Sequence, residues 1–278
     1  MSTTEFTILI WAISLAAGLV GSLTGLGGGV VIIPVLSLVF GVDIRYAIGA
    51  SLVSVIATSS GAAAAYVKEG FTNIRIGMFL EIATTFGALA GAFLAARVPT
   101  QIIAIIFGIV LLWSAYEESR SRRGQNIGET EDRLASSLKL SAHYPTPHGP
   151  QPYRVRAVAG GFGVMAVAGI LSGLLGIGSG AMKVLAMDKV MKIPFKVSTT
   201  TSNFMIGVTA ATSAGVYLNR GYIDPGITMP VMLGVLSGSL AGAKILVKAE
   251  TRILRIVFSI VIFFLALEMI YSGITGSL

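Results

Sequence analysis

The chain contains no cysteine. That excludes disulfides, thiolate metal sites and thiol chemistry. Histidine is nearly absent too: His143 and His148 are the two present, and both fall in a polar stretch. No cluster of potential ligands suggests a metal, and no cofactor is expected. Charge is also sparse. Only 12% of the 278 residues are charged, against about a quarter in a soluble globular domain. With so few polar side chains the surface cannot be covered for water, and the mean hydropathy of +0.83 agrees. The sequence predicts an all-α, polytopic membrane protein.

What is abundant is apolar sequence. Candidate segments run over 6–22, 26–41, 47–66, 76–96 and 101–116, and resume at 155–175, 177–190, 198–218, 227–247 and 253–273. Most are long enough to cross a hydrocarbon core about 30 Å thick. The segments 26–41 and 177–190 are short, so each could span or could turn back as a re-entrant hairpin with its predecessor. The first 30 residues lack a basic leader region and a small-residue cleavage site, so the N-terminus reads as a membrane segment. The intervening stretch, about 117–153, is rich first in charge and then in Pro, Gly and Ser, and predicts a mostly unstructured linker.

The two apolar halves repeat. Shifting the first by 151 positions (176 − 25) places Gly25, Gly27 and Gly29 on Gly176, Gly178 and Gly180. The same gapless offset places Ser51 on Ser202, Thr58 on Thr209, Tyr66 on Tyr217 and "GALAG" at 87–91 on "GSLAG" at 238–242. The expected organisation is a first membrane repeat over 1–116, a linker over 117–154 and a second repeat over 155–278.

Basic residues supply an orientation. With the linker in the cytoplasm, 17 of the 20 Lys and Arg fall on the inner side, and only Arg45, Arg97 and Arg220 fall outside. This is the positive-inside bias. Both termini then come out external. "DIRY" at 43–46 and its repeat partner at 194–197 fall on opposite sides, so the two repeats of about five segments each are inverted, a common plan of secondary transporters. The formal charge of +7 therefore reports topology rather than nucleic-acid binding.

The glycine clusters Gly25, Gly27, Gly28, Gly29 and Gly176, Gly178, Gly180 interrupt apolar sequence. Non-helical backbone at membrane depth is tolerated where it is buried in protein or lines a wet cavity. A helix starting after such a break directs free N–H groups and the positive end of its dipole toward it. Two inverted copies would bring two such ends together near the midplane, which suits an anion. The competing reading is packing: Gly21/Gly25/Gly29, Gly87/Gly91, Gly169/Gly173, Gly176/Gly180 and Gly238/Gly242 have the spacing of small-residue helix contacts. Packing is favoured for 87–91 and 238–242, and a cavity for the two breaks.

The polar residues at depth are few. Ser51, Ser202 and Asn203 could donate to anion oxygens, or bond back to their own helices. Ser179 joins the second break. Lys183 could draw anions into a cytoplasmic vestibule or, as slightly favoured, snorkel to the inner interface. Glu81 is a candidate carrier of a coupling proton; Glu268 sits at an interfacial position. Tyr66 and Tyr217 end their segments as interfacial aromatics do.

"GSLTGLGGGVVIIPVL" and "GLLGIGSGAMKVLAM", with the hydroxyl-rich segments that follow each, resemble the TauE/SafE family of sulfite exporters and related anion permeases. The resemblance covers the chain apart from the linker. It implies alternating-access transport, often outward, of a small sulfur-containing oxyanion such as sulfite, sulfoacetate or another organosulfonate. It implies a bacterial or archaeal cell membrane, and a path lined by Gly25–Gly29, Gly176–Gly180, Ser51, Ser202 and Asn203. Relatives that move thiosulfate rely on cysteines, which are absent here. The expected partners are a small anion, the lipid bilayer and, through Glu81, a proton, with no nucleic acid; the sequence carries no signal of oligomeric state.

Other classes fit less well. A carrier of another organic anion, proton-coupled, remains open. A cation carrier would need midplane carboxylates where glycine and hydroxyls stand. An intramembrane serine hydrolase using Ser179 would need a base within reach, and both histidines lie in the linker. No phosphate-binding G-x-x-x-x-G-K-[ST] occurs and G-x-G-x-x-G is not completed. The chain is therefore expected not to be an enzyme.

Overall fold

The computed structural model describes residues 3–24, 28–68, 70–119, 132–146, 149–246 and 251–276. Among the described residues eight long helices dominate: α1 (Thr3–Thr24), α3 (Ile44–Lys68), α4 (Ile74–Ala95), α5 (Thr100–Ser119), α7 (Val158–Leu175), α9 (Phe195–Asn219), α10 (Pro225–Leu246) and α11 (Thr251–Thr275). At 1.5 Å per residue, the 22 residues of α4 reach about 33 Å, the depth of a hydrocarbon core. Among the described residues, α4 and α7 combine the length and hydropathy of a membrane span. Large apolar side chains face outward along the bundle, including Phe86, Ile109, Leu240 and Phe264. Lipid is the solvent that makes such a surface stable.

Two short helices take the positions of the short apolar segments. α2 (Gly29–Pro34) and α8 (Gly180–Leu185) each run on into one π-helical turn, Val35–Val39 and Ala186–Val190. Pro34 at the end of α2 has no N–H to donate, which suits a loosened turn there. The offset of 151 carries element onto element: 29 + 151 = 180, 44 + 151 = 195, 74 + 151 = 225 and 100 + 151 = 251 are the starts of α8, α9, α10 and α11.

Helix contacts are reciprocal under the same exchange. α1 packs on α10 as α7 packs on α4; α3 crosses α9 and α5 lies on α11; α10 touches α3 as α4 touches α9. The two largest contacts are glycine seams. A Cβ on Gly87 or Gly91 would overlap the carbonyls of Ala166 and Ile170, and one on Gly169 or Gly173 those of Thr84 and Ala88. On the other side Gly18 meets Val235 while Gly234 and Gly238 meet Trp11 and Leu15. Backbones approach this closely only without side chains between them. The four-residue glycine ladders at 87–91, 169–173 and 238 are therefore packing faces.

The linker departs from expectation. Its described residues carry structure: α6 (Arg133–Ser137) precedes a hairpin, β1 (Ala142–Thr146) and β2 (Gly149–Tyr153), paired from Ala142↔Tyr153 to Thr146↔Gly149. Asp132 organises the end of this unit. Its Oδ1 accepts from Leu134 N at the start of α6, and its Oδ2 from Val158 N at the start of α7. Ala135, Leu140, Tyr153 and Val155 are buried in a small second core with Ile76, Met187 and Met191. Pro145, Pro150 and Pro152 hid the strands from a composition-based reading, because proline is at home in a two-stranded ribbon that is all edge.

Candidate functional site

The described helices stop on either side of the two predicted breaks, and at the second the chain leaves the helix. α1 ends at Thr24 and α2 begins at Gly29; α7 ends at Leu175 and α8 begins at Gly180. Gly25 and Gly27 lie outside the described residues. Gly28 caps α2 in a right-handed conformation (φ −65°) and accepts from Val31 N and Ile32 N, both at 3.2 Å. The second break runs through left-handed backbone. Gly176 (φ +70°), Gly178 (φ +67°) and Ser179 (φ +48°) all have left-handed backbone. Two glycines supply it at no steric cost, whereas Ser179 carries a Cβ through it.

Ser51 joins the breaks. Its Oγ donates to the Gly176 carbonyl at 2.9 Å and is buried. The same Oγ fills the space a Cβ on Gly29 would take, and that Cβ would also stand 3.5 Å from Gly176 O. Ser51 of α3 thus touches both the start of α2 and the end of α7. Ser202, the repeat partner of Ser51, donates to Gly180 O at 3.2 Å. Val55 packs against both breaks, near Gly29 and near Gly178.

These bonds change the role of the hydroxyls. Ser51 and Ser202 spend their single protons on the backbone of the second break and brace it rather than donating to a ligand. Ser54, Thr58, Ser59, Ser60, Thr200, Thr212 and Ser213 bond back to their own helices. At the start of α8, Lys183 N donates to Ser179 O at 3.1 Å; the first amides of a helix have no carbonyl within it to bond. Ser179 Oγ is buried without a hydrogen-bond partner among the described residues, and it lines a small crevice with Val30, Ser114, Ile177, Gly180 and Met182. Asn203 is half-buried on α9.

Lys183 does not snorkel. Its side chain is 0% exposed and Glu81, on α4, is 6% exposed. Nζ and Glu81 Oε2 are 3.9 Å apart. Between the two residues stands Thr209 of α9, whose Oγ1 accepts from Lys183 Nζ and donates to Glu81 Oε1 at 2.6 Å. Lys183 follows the second break by one helical turn, so a buried charge pair adjoins the first amides of α8. Its members are 102 positions apart (183 − 81), and each reads separately in the chain. Thr209 stood out only as one of many hydroxyls. Tyr217, expected at an interface, is buried, with its OH donating toward Gly173 O and Leu174 O. Tyr66 has no described side chain, and Glu268 is exposed.

A family model, "Sulfite exporter TauE/SafE", matches residues 10–269. The chain belongs to the TauE/SafE family. Among curated relatives it is 28% identical over 277 residues to the "Probable membrane transporter protein YunE" of Bacillus subtilis, covering 97% of this chain and 99% of that one. It is 25% identical, covering 94% of each chain, to a "Probable membrane transporter protein" of Methanocaldococcus jannaschii. A "Sulfite exporter TauE/SafE family protein 5" of Arabidopsis thaliana is 27% identical over 136 residues, 46% of this chain and 28% of that one. No solved structure matches. Family and relatives together make this TauE/SafE chain a membrane transporter.

Proposed function

We propose that the protein is a secondary transporter of a small sulfur-containing oxyanion, sulfite or an organosulfonate, which it carries by alternating access between two halves lying inverted in a cell membrane. The contact of Gly29, Ser51 and Gly176 carries the reading. It brings the start of α2, from one half, and the end of α7, from the other, against one buried side chain. The inversion is supported by the basic residues concentrated on the linker side, with both termini outside and the linker cytoplasmic. It also agrees with the reciprocal helix contacts. The oxyanion class is supported by the family and by the chemistry beside the break: the first amides of α8, Ser179 and the Lys183 ammonium are all donors. Nothing covalent need happen to the cargo. Backbone N–H groups and hydroxyls replace its water, and the two halves rock to expose the site to either side.

The test is reconstitution of the pure protein in vesicles. Thermal stabilisation and then flux are measured against sulfite, sulfoacetate, taurine, sulfate and acetate. The reading requires stabilisation and saturable flux with sulfite or a sulfonate; indifference to every anion in the set contradicts it.

A further inference from the structure

The Glu81–Thr209–Lys183 group is built more loosely than a structural ion pair needs to be. A lysine has three donors, and among the described residues the one hydrogen bond of Lys183 Nζ goes to Thr209. Glu81 Oε2 is buried with no hydrogen-bond partner among the described residues. A direct bidentate contact would satisfy both ions. Here a hydroxyl is interposed, and the carboxylate's second oxygen is left without a donor in a place where that is costly.

Thr209 can serve two states of this group. Its single proton has two acceptors within reach, Glu81 Oε1 at 2.6 Å and Met205 O at 3.1 Å. With Glu81 ionised the proton points to the carboxylate. With Glu81 protonated, the hydroxyl can turn its proton to Met205 O and accept from both Lys183 and the carboxylic acid, because its oxygen has two lone pairs. Thr85 adds a long contact to Oε1 at 3.5 Å. Asp188, buried on the π-helical turn that continues α8, and Lys189 beside it are further charges close to Lys183 in the chain, and Arg75 lies near the start of α4. α7, packed on α4, has no titratable residue, and α9 carries Lys196 and Tyr217 near its two ends, with Lys196 over the ring of Phe71.

We propose that Lys183 is the charge partner of the transported anion and that Glu81 is its internal substitute, so that each monovalent anion binds together with one proton. The inference rests on the transport reading. Its logic is charge balance. The empty site holds Lys183⁺ and Glu81⁻, net zero. An anion arriving alone would leave one uncompensated negative charge in the membrane interior, which is expensive. If a proton goes to Glu81 Oε1, where it can be donated to Thr209, the anion takes the ammonium and the site is again neutral. Proton and anion then cross together, and the loaded and empty carriers have the same net charge. Net movement follows the combined anion and proton gradients, with no contribution from the membrane voltage.

The experiment uses the full chain in vesicles with radiolabelled sulfite and 2-hydroxyethanesulfonate, in the mildly acidic range where both are monoanions, with protein-free vesicles subtracted. The expected result for the wild type is an initial influx rising toward about tenfold per unit fall in outside pH, the slope of one proton, and unaltered by a potassium–valinomycin voltage. Glu81→Gln is expected to flatten that slope and make the remaining flux voltage-dependent. Lys183→Met alone strands a buried carboxylate and could fail to fold. The double variant Glu81→Gln/Lys183→Met is neutral throughout; it is expected to remain monodisperse and to lose anion flux. A wild-type flux that follows voltage and ignores pH overturns the coupling while leaving the transport reading standing. So does an unchanged pH slope in Glu81→Gln, or wild-type flux in the double variant. Absence of flux for both probes in the wild type overturns the transport reading itself, and this inference with it.

Discussion

Ser51 and Gly176 lie 125 positions apart in the chain and are joined by one buried hydrogen bond of 2.9 Å. The bond ties the middle of one half to the left-handed turn that interrupts the other. Replacing Ser51 by Ala leaves a buried carbonyl unpaired, which costs about 1–3 kcal/mol. The expected outcome is a lower midpoint in thermal unfolding in detergent and weaker anion-induced stabilisation, because the second break loses its brace. Ser60→Ala, at an exposed hydroxyl that bonds its own helix, serves as the control and is expected to change neither.

The glycine seams are expected to be intolerant in proportion to how close the backbones come. Gly91→Val drives a side chain into Ile170 O and Leu174 N and separates α4 from α7; overpacking of this kind costs typically 1–3 kcal/mol or more. Gly215→Ala on α9 meets nothing within 4 Å and gains helix propensity of up to about 1 kcal/mol. Yield of monodisperse protein and its thermal midpoint distinguish the two.

The chain's lack of cysteine makes proximity directly measurable. A Cβ on Gly207 of α9 would lie 3.4 Å from the Cβ of Ser59 on α3, close to the 3.5–4.5 Å of a disulfide. Ser59→Cys/Gly207→Cys is expected to cross-link under mild oxidation, read as a mobility shift after cleavage between the halves. Failure to form the bond contradicts the α3–α9 crossing.

The linker unit carries a pH-dependent contact. Asn73 caps α4 by accepting from Ile76 N, and its amide donates to Leu140 O and to Tyr153 Oη. Burial pushes the Tyr153 phenol up to about 12. Its folded value lies above its ordinary value of about 10. The neutral tyrosine therefore contributes stability that is fully present below about pH 10 and is lost as pH rises through about 12. Alkaline titration of thermal stability should show this loss in the wild type, and Tyr153→Phe should remove it.

Much of the architecture was legible in the chain. Apolar segments placed the long helices within a few residues, and one gapless offset foretold the matching element starts. The second break was legible because glycine clusters in an apolar run have few other uses. Two things were not. α6 and the hairpin depend on tertiary burial of Leu140, Tyr153 and Val155 rather than on local propensity, so a Pro-rich composition read as linker. The partnership of Glu81 with Lys183 was also hidden, because a charge at depth shows in sequence while its counter-charge is brought by the fold from another helix. The hydroxyls were visible, but the direction in which each spends its proton was not.

The contact between the two breaks is tested most directly by flux through Gly29→Val. The valine side chain must enter space held by Ser51 Oγ and Val55, beside Gly176 O, so the start of α2 is pushed away from the end of α7. Uptake of sulfite and 2-hydroxyethanesulfonate into vesicles is compared with that of wild type and Gly215→Ala, with folding of each checked by thermal unfolding. If the paired breaks form the transport site, folded Gly29→Val loses uptake by about tenfold or more, a change of about 1.4 kcal/mol, while Gly215→Ala keeps it. Wild-type uptake by a folded Gly29→Val protein would contradict the paired-break site.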